Sequence, residues 1–420
     1  MMVGIWNALG YSSGEPSPES WGSDHISAFQ ELGPHVNLIV DPAKNSSGNI
    51  EVMNWCLTNR KINIWSVGLE REIHWIGAEK TYLKHDVREE VRRSWRKLAD
   101  WWPIITGVLI NCERYAGSGT KDNPDFRQDL WVCSEFNRLN PSLQLAAEGG
   151  VSAYVKKGNE TLYDQIFRFP RGVLDHVRYN FYGWDLSEYW LWRFTWGQIK
   201  DFRDIAKTMR YRQGSWVYTS QAFEANRAGV DPDYRYPSQT WQDFVCLNAI
   251  AHGAAGLQFW PFDTYDSSEW CGLRSTYNSS GAAEERIVVK NSIEKSRSLW
   301  EKLQGLKLVD WSLNLIYYED EYTTENESAI SLDWPLEKVE CGDPSSYWNL
   351  VEICRWIMHS GFERYTLSPL DPRPGQAKTL QIHLKESCEW SIGSQSGYGK
   401  TISGVSIQPG QVEVLTLRRW

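Results

Sequence analysis

From the N-terminus to about residue 265 the chain alternates two kinds of apolar pattern. Short, nearly continuous apolar runs are followed by longer stretches in which apolar positions recur every three to four residues. The first kind predicts buried strands, the second amphipathic helices. The predicted strands are VGIWN (3–7), HVNLIVD (35–41), INIWSVG (62–68), ITGVLINCE (105–113), LQLAAE (143–148), LDHVRYNFY (174–182), SWVYTSQ (215–221) and LQFWPFD (257–263). The stretches between them read as helices: SDHISAFQEL with Ser23 or Asp24 as its cap, IEVMNWCLTNR, DVREEVRRSWRKLADWW, FRQDLWVCSEFNRL, ETLYDQIFRF, WGQIKDFRDIAKTMRY and TWQDFVCLNAIAHG. In the third of these, Val87, Val91, Trp95 and Leu98 form one apolar stripe.

Strands that alternate with helices imply a parallel sheet, and eight such units in about 260 residues fit a closed (β/α)8 barrel better than an open sheet. A doubly wound sheet would carry a glycine-rich phosphate loop after its first strand. The segment ALGYSSGEPSPESWG does not have that form. Beyond residue 265 a polar loop leads to one more helix, EERIVVKNSIEKSRSLWEKLQG, and then to strand-like segments: WSLNLIYYED, KTLQIHLKE, CEWSIGS and VSIQPGQVEVLTLRR. The last reads as a hairpin about a Pro-Gly turn, and a helix is predicted over 346–361 (SYWNLVEICRWIMHSG). The expected organisation is an α/β protein: a (β/α)8 TIM barrel over 1–265, a connecting loop and helix over 266–305, and a small β-rich, sandwich-like domain over 306–420.

Composition narrows the function. A net charge of −9 with no basic block argues against a nucleic-acid partner, and no apolar run approaches the ~18 residues of a membrane span. The start, MMVGIWNALG, reads as a first strand and not as a secretory leader, which places the protein in the cytoplasm unless a leader has been removed. Eight cysteines form no C-x-x-C pair, so neither a zinc nor a redox framework is expected. Cys56, Cys133, Cys246 and Cys354 fall in predicted helices, where a thiol serves as a small apolar filler, and free thiols fit a reducing compartment; four N-x-S/T triplets, at Asn45, Asn159, Asn278 and Asn326, weigh weakly the other way. The unusual number is tryptophan, 24 residues beside 20 Tyr and 13 Phe. Flat aromatic faces suit sugar rings, and they equally suit a large aromatic core.

In a barrel of this kind the active site is built at the C-terminal ends of the strands. The residues expected there are Trp6 and Asn7, Asp41, Trp65 with Glu70 beyond it, Asn111 and Glu113, Glu148, Asn180 and Tyr182, Gln221 with Glu224 beyond it, and Trp260 with Asp263. Any one of these is ordinary solvated surface in most barrels. Taken together they put several carboxylates, amides and tryptophans at one end, with no histidine, cysteine or lysine in comparable company. That set disfavours a metal cluster or a Ser-His-Asp triad and requires no cofactor. It suits glycosidic bond cleavage, in which one carboxyl protonates the leaving oxygen and the other attacks or activates water.

On these residues the chain resembles the large clan of retaining glycoside hydrolases built on (β/α)8 barrels, of the cellulase and β-galactosidase type. The resemblance implies an acid/base Glu at the end of strand four, here Glu113 in Asn111-Cys112-Glu113, and a nucleophilic Glu at the end of strand seven, here Glu224 in YTSQAFEA. It further implies a Tyr after strand six that orients the nucleophile (Tyr182 in NFYGW) and a Trp beneath the sugar at the end of strand eight (Trp260 in LQFWPFD). The passage AIAHGAAGLQFWPFD and the C-terminal PGQVEVL strand are also similar to members of that clan. Trp6, Asp41, Trp65, Asn111, Asn180, Tyr182, Gln221, Trp260 and Asp263 are the expected substrate contacts, and a carbohydrate is the expected partner. Two departures matter. Cys112 splits the usual Asn-Glu pair, which by period two sets Asn111 and Glu113 on one face of the strand. Glu224 lies three residues past the predicted strand end, so it reaches the site only if the strand continues or bulges there; otherwise Gln221 takes the nucleophile's place. Two alternatives stay open: a glycosidase that pairs Glu113 with Glu148, and a non-catalytic carbohydrate-binding barrel. Glu148 has a plainer reading as the ion-pair partner of Arg178 or Arg227.

Overall fold

The structure is a computed structural model of the chain, and it describes residues 1–6, 23–40, 47–59, 61, 63–66, 84–112, 126–150, 171–181, 188–225, 236–260, 262, 270–274, 279–314, 330–331, 333–343, 346–358, 362–375 and 377–418. The predicted helix in ETLYDQIFRF lies outside these residues. The chain divides into two compact units: Met1–Leu191 with Asp204–Pro237 and Ala254–Lys290, and Trp192–Arg203 with Ser238–Gly253 and Asn291–Trp420.

The first unit contains a closed barrel of eight parallel strands. These are β1 (Met2–Trp6), β2 (Asn37–Val40), β3 (Asn63–Ser66), β4 (Ile105–Cys112), β5 (Gln144–Gly150), β6 (His176–Phe181), β7 (Ser215–Gln221) and β9 (Gly256–Trp260). Helices α1 (Ser23–Glu31), α2 (Ser47–Thr58), α3 (Lys84–Lys97), α4 (Phe126–Leu139), α5 (Glu188–Arg212), α6 (Gln239–Ala251) and α7 (Ser279–Leu303) alternate with them along the chain. The short strand β8 (Glu224–Ala225) interrupts the series just after β7. Closure joins β9 to β1, with Met2 opposite Gly256. A Cβ on Gly256 would stand 2.5 Å from the Met2 carbonyl oxygen, so the seam requires a residue without one.

Alternation along each strand sorts side chains into a lumen row and an outer row. Leu109 and Ala146 pack with Met2 and Trp260, side chains from opposite walls of the barrel, which is possible only across its interior. The outer rows are as thoroughly buried: Val3, Ile5, Val177, Tyr179, Trp216, Tyr218, Leu257 and Phe259 are all at most 1% exposed. Strands buried on both sides read in sequence as continuous apolar runs, which is why the barrel pattern is legible.

The second unit carries one antiparallel sheet in the order β11-β13-β14-β17-β15-β12, with β16 on β15. The strands are β11 (Lys307–Leu313), β12 (Leu336–Cys341), β13 (Val351–Ile357), β14 (Glu363–Pro369), β15 (Lys378–Ile392), β16 (Gln395–Ile407) and β17 (Glu413–Arg418). The register of β15 shifts between His383 and Cys388; its first half pairs with β12 and its last residues with β17. The sheet therefore folds about a single core that includes Leu336, Ile353, Tyr365, Leu380, Ile402 and Leu415.

Two expectations fail in this unit. The segment 346–361 is not a helix: a 3-10 turn (Tyr347–Asn349) leads into β13. All β13 residues but Arg355 and Ile357 are buried, five of seven, so both faces are covered and no period-two alternation shows in VEICRWI. Cys354 is thus a strand residue. The strands that flank the Pro-Gly turn do not form a hairpin with each other: β16 pairs with β15, and β17 with β14 and β15. Gly410 sits at φ +72 against the Thr240 carbonyl, where a Cβ would come within 2.3 Å of its oxygen. Gln411 donates its amide to Asp243 at 2.8 Å. The turn is held on the first turn of α6, and the chain leaves it in a new direction.

Candidate active site

The C-terminal ends of β7 and β9 meet at the barrel rim, with Gln221 opposite Trp260. The chain does not leave the sheet after Gln221. The Ala222 N–H donates to the Trp260 carbonyl at 2.9 Å, which extends the ladder by one bond. The Gln221 side-chain amide donates to the Phe223 carbonyl at 2.9 Å and closes a turn two residues long. The Phe223 ring stands edge-on to Trp260, centroids 5.1 Å apart at 88°. Gln221, Ala222 and Phe223 are buried to 1% or less, so the turn is a packed feature and not a loose strand end.

That turn delivers Glu224, which is partly exposed, into β8. There Glu224 lies opposite Cys271 and Ala225 opposite Trp270, in a two-stranded antiparallel ribbon with β10 (Trp270–Cys271). The Tyr236 hydroxyl donates to the Gly272 carbonyl at 2.8 Å, and the Arg274 N–H to that of Phe262 at 2.7 Å. The loop after the last barrel strand is therefore fastened back on the segment that carries Glu224.

On the opposite wall, the register of β4 shifts between Leu109 and Asn111, after which Asn111 lies opposite Ala147 and Cys112 opposite Glu148. Glu148 is in turn opposite Arg178, and Asn180 opposite Thr219. Glu113 is the next residue after β4 and lies outside the described residues, as do Asp41, Tyr182 and Asp263. Trp6 is in register with Ile39, and Trp65 with Val108. For Trp6, Trp65, Asn111, Glu148 and Asn180 the backbone positions are described and the side chains are not.

Below the rim the lumen is polar between β6, β7 and β9. Arg178, fully buried, donates from Nη1 to the Gln258 side-chain oxygen, bridging from β6 to β9 over the intervening β7. His176 lies one lumen position lower; burial, helped by the neighbouring Arg178 charge, lowers its pKa to about 3, so the imidazole is neutral. From the sequence, Arg178 is expected only as a possible partner of Glu148, and Gln258 has no expected role. The signal was present: Gln258 is the one polar residue of the apolar strand GLQFW, Arg178 is a charge inside β6, and a buried polar group needs a partner.

Among the described residues, one group has metal-ligand chemistry: His252, Glu352 and Cys354, with ligand atoms within 4.8 Å of one another. Its bonding is already committed. Arg203 grips Glu352 with Nε at 2.9 Å and Nη2 at 2.5 Å. His252 contacts Glu352 through Nε2 at 2.9 Å and the Asn248 carbonyl through Nδ1 at 2.8 Å. Both of those partners are acceptors, so both ring nitrogens donate and the ring is an imidazolium. Burial opposes that charge, but Cys354 and Glu352 outweigh it and raise the pKa to about 10. The cluster is an internal ion network of the second unit. A cavity of about 410 Å³ lined by Leu130, Cys133, Asn137 and Val173 lies against Leu145 of β5, on the outer row and not in the lumen.

Strand order and rim together define a (β/α)8-barrel protein with a C-terminal antiparallel β domain. No protein-family model and no curated protein matches the sequence. Among solved structures, the chain is similar to an endoxylanase from Clostridium papyrosolvens, with 11% identity, 100% of this chain and 96% of that chain covered, and a TM-score of 0.46. It is similar to an α-L-arabinofuranosidase from Thermotoga maritima, with 12% identity, coverage of 99% and 95%, and a TM-score of 0.46. It is also similar to an endo-β-1,4-mannanase from Thermotoga petrophila, with 12% identity, coverage of 96% and 98%, and a TM-score of 0.43. At these values none of the likenesses argues for an activity. No helix among the described residues is long and apolar enough to cross a membrane.

Proposed function

We propose that the protein is a glycoside hydrolase that cleaves O-glycosidic bonds of an oligo- or polysaccharide with retention of configuration. The observation that carries this reading is the place of Glu224: a partly exposed carboxyl one tight turn past the end of β7, on the rim of a closed barrel, beside a ribbon that secures it. A two-residue turn past β7 carries Glu224 into the β8–β10 ribbon, and this supports the reading.

In the proposed reaction Glu113, the residue after β4, donates a proton to the departing oxygen. Glu224 attacks the anomeric carbon as a carboxylate, oriented by Tyr182, and forms a glycosyl-enzyme. Glu113 then takes a proton from water, which attacks the same carbon and releases the sugar with Glu224 regenerated. Trp260 and Trp6 form apolar floor for the sugar ring, and Asp41, Trp65, Asn111, Asn180 and Asp263 are the remaining proposed contacts; Gln221, expected as a contact from the sequence, is 1% exposed and spends its amide on the Phe223 carbonyl. Glu148, opposite Cys112, is the reserve carboxyl should Glu224 prove silent.

The test is hydrolysis of a panel of chromogenic glycosides, with the product anomer read by NMR. Glu113→Gln and Glu224→Gln are each expected to lower turnover by at least ~10³-fold while the melting temperature stays within a degree or two of wild type. Azide should restore turnover to Glu224→Gly as a glycosyl azide of inverted configuration. Full activity in Glu224→Gln, with loss in Glu148→Gln, would transfer the second role to Glu148. Binding of glycans without release of dye by any panel member would favour a lectin-like barrel.

A further inference from the structure

The rim holds a residue whose type does not match the position it occupies. Gln221 is the last residue of β7, where a nucleophilic carboxylate would stand if the strand simply ended, and it is 1% exposed. A glutamine buried this deeply at a strand end needs hydrogen bonds, and its Nε2 spends one on the carbonyl of Phe223, two residues on in its own chain, at 2.9 Å. The same two residues are gripped from the other side: the Ala222 N–H reaches the Trp260 carbonyl at 2.9 Å, and the Phe223 ring abuts Trp260. Three contacts thus converge on the two residues between the end of β7 and Glu224. All of them come from Gln221 or Trp260, which face each other in the ladder.

We infer that Gln221 is a positioning residue for Glu224: its amide fixes the Ala222–Phe223 turn and so sets where the Glu224 backbone enters the β8–β10 ribbon. The inference rests on the glycosidase reading only for the consequence in turnover; the turn itself stands apart from it. Glutamine suits this task and glutamate does not. The Phe223 oxygen is an acceptor and needs a donor, which a carboxylate lacks and an amide supplies. A glutamate at 221 would point a charge at a carbonyl oxygen inside a buried turn, and it would donate there only when protonated.

The experiment uses the full-length protein and two readouts. In the first, hydrogen exchange of amides 222–225 is compared in wild type and Gln221→Leu. Exchange is expected to rise at least tenfold there with the barrel strands unchanged; equal exchange at 222–225 overturns the inference whether or not any glycoside is cleaved. In the second, kinetics are read on the best substrate from the panel. Gln221→Leu is expected to lower kcat ten- to a hundredfold with KM changed less than threefold, and Gln221→Glu to lose activity at neutral pH and recover part of it in acid, as its protonated carboxyl donates to Phe223. A wild-type kcat in Gln221→Leu, beside a dead Glu224→Gln, overturns the positioning role and leaves the glycosidase reading intact. Turnover by the double variant Gln221→Glu/Glu224→Gln would show position 221 to be the nucleophile's own place, and would overturn the inference. Full activity in Glu224→Gln alone defeats the reading of Glu224 while the exchange result still decides the turn.

Discussion

Two buried histidines, one in each unit, differ in charge: His176 is neutral and His252 is cationic. His176 stands in the barrel lumen near a cation, Arg178, and burial with that neighbour keeps the ring neutral, its pKa near 3. His252 is no less buried, but Cys354 and a carboxylate that Arg203 holds ionised favour its charged form, and an acceptor meets each of its nitrogens; its pKa rises to about 10. Burial alone predicts the same outcome for both. The difference comes from the company: the barrel interior closes by backbone fit and carries a cation on an amide, whereas the second unit's core is fastened by paired opposite charges.

The largest effect that would break this comparison is expected at Glu352. Burial pushes its carboxyl up, yet Arg203 and His252 hold it below the ordinary carboxylate range. Glu352→Gln leaves those two cations without their counter-charge, and a loss of about 3–5 kcal/mol in stability is expected by denaturant unfolding. A loss under about 1 kcal/mol would mean that the network is not what fastens this unit. The barrel's counterpart is Gly256→Ala, which drives a methyl onto the Met2 carbonyl. A cost of about 1–3 kcal/mol is expected, with barrel strands β1 and β9 losing hydrogen-exchange protection before the C-terminal sheet does. Uniform loss across both would show that closure at this seam is not local.

The pH dependence tests the comparison directly, because its sign differs between the histidines. His252 binds its proton more tightly folded than unfolded, so its contribution is complete below the unfolded pKa of about 6.5 and is lost as pH rises toward about 10. His176 binds its proton less tightly folded, so its contribution is complete above about 6.5 and is lost as pH falls toward about 3. Each slope is at most one proton. Comparison of wild type with His252→Gln should remove the alkaline slope alone, and with His176→Gln the acid slope alone; a shared slope in both variants would place the titration elsewhere.

What could be read from residues alone follows the physics of burial. A barrel strand is covered on both sides, so ITGVLINC and SWVYTSQ announce themselves as apolar runs between helical stripes, and eight of them count out the barrel. The same double covering hid β13: Val351 to Ile357 is apolar enough on both faces to pass for a helix, and only its pairing with β11 and β14 made it a strand. Polar residues that interrupt the runs, Gln221, Gln258 and Arg178, were visible as interruptions, but their partners lie on other strands or around a turn. Local pattern therefore determined the element types of the barrel, the barrel class and the short list of expected rim residues. Tertiary structure alone decided that Gln221 folds its amide back on Phe223, that Arg178 crosses the lumen to Gln258, and that His252 is charged. Each of these depends on a donor and an acceptor brought within hydrogen-bond reach by chain closure, and periodicity carries no record of that distance.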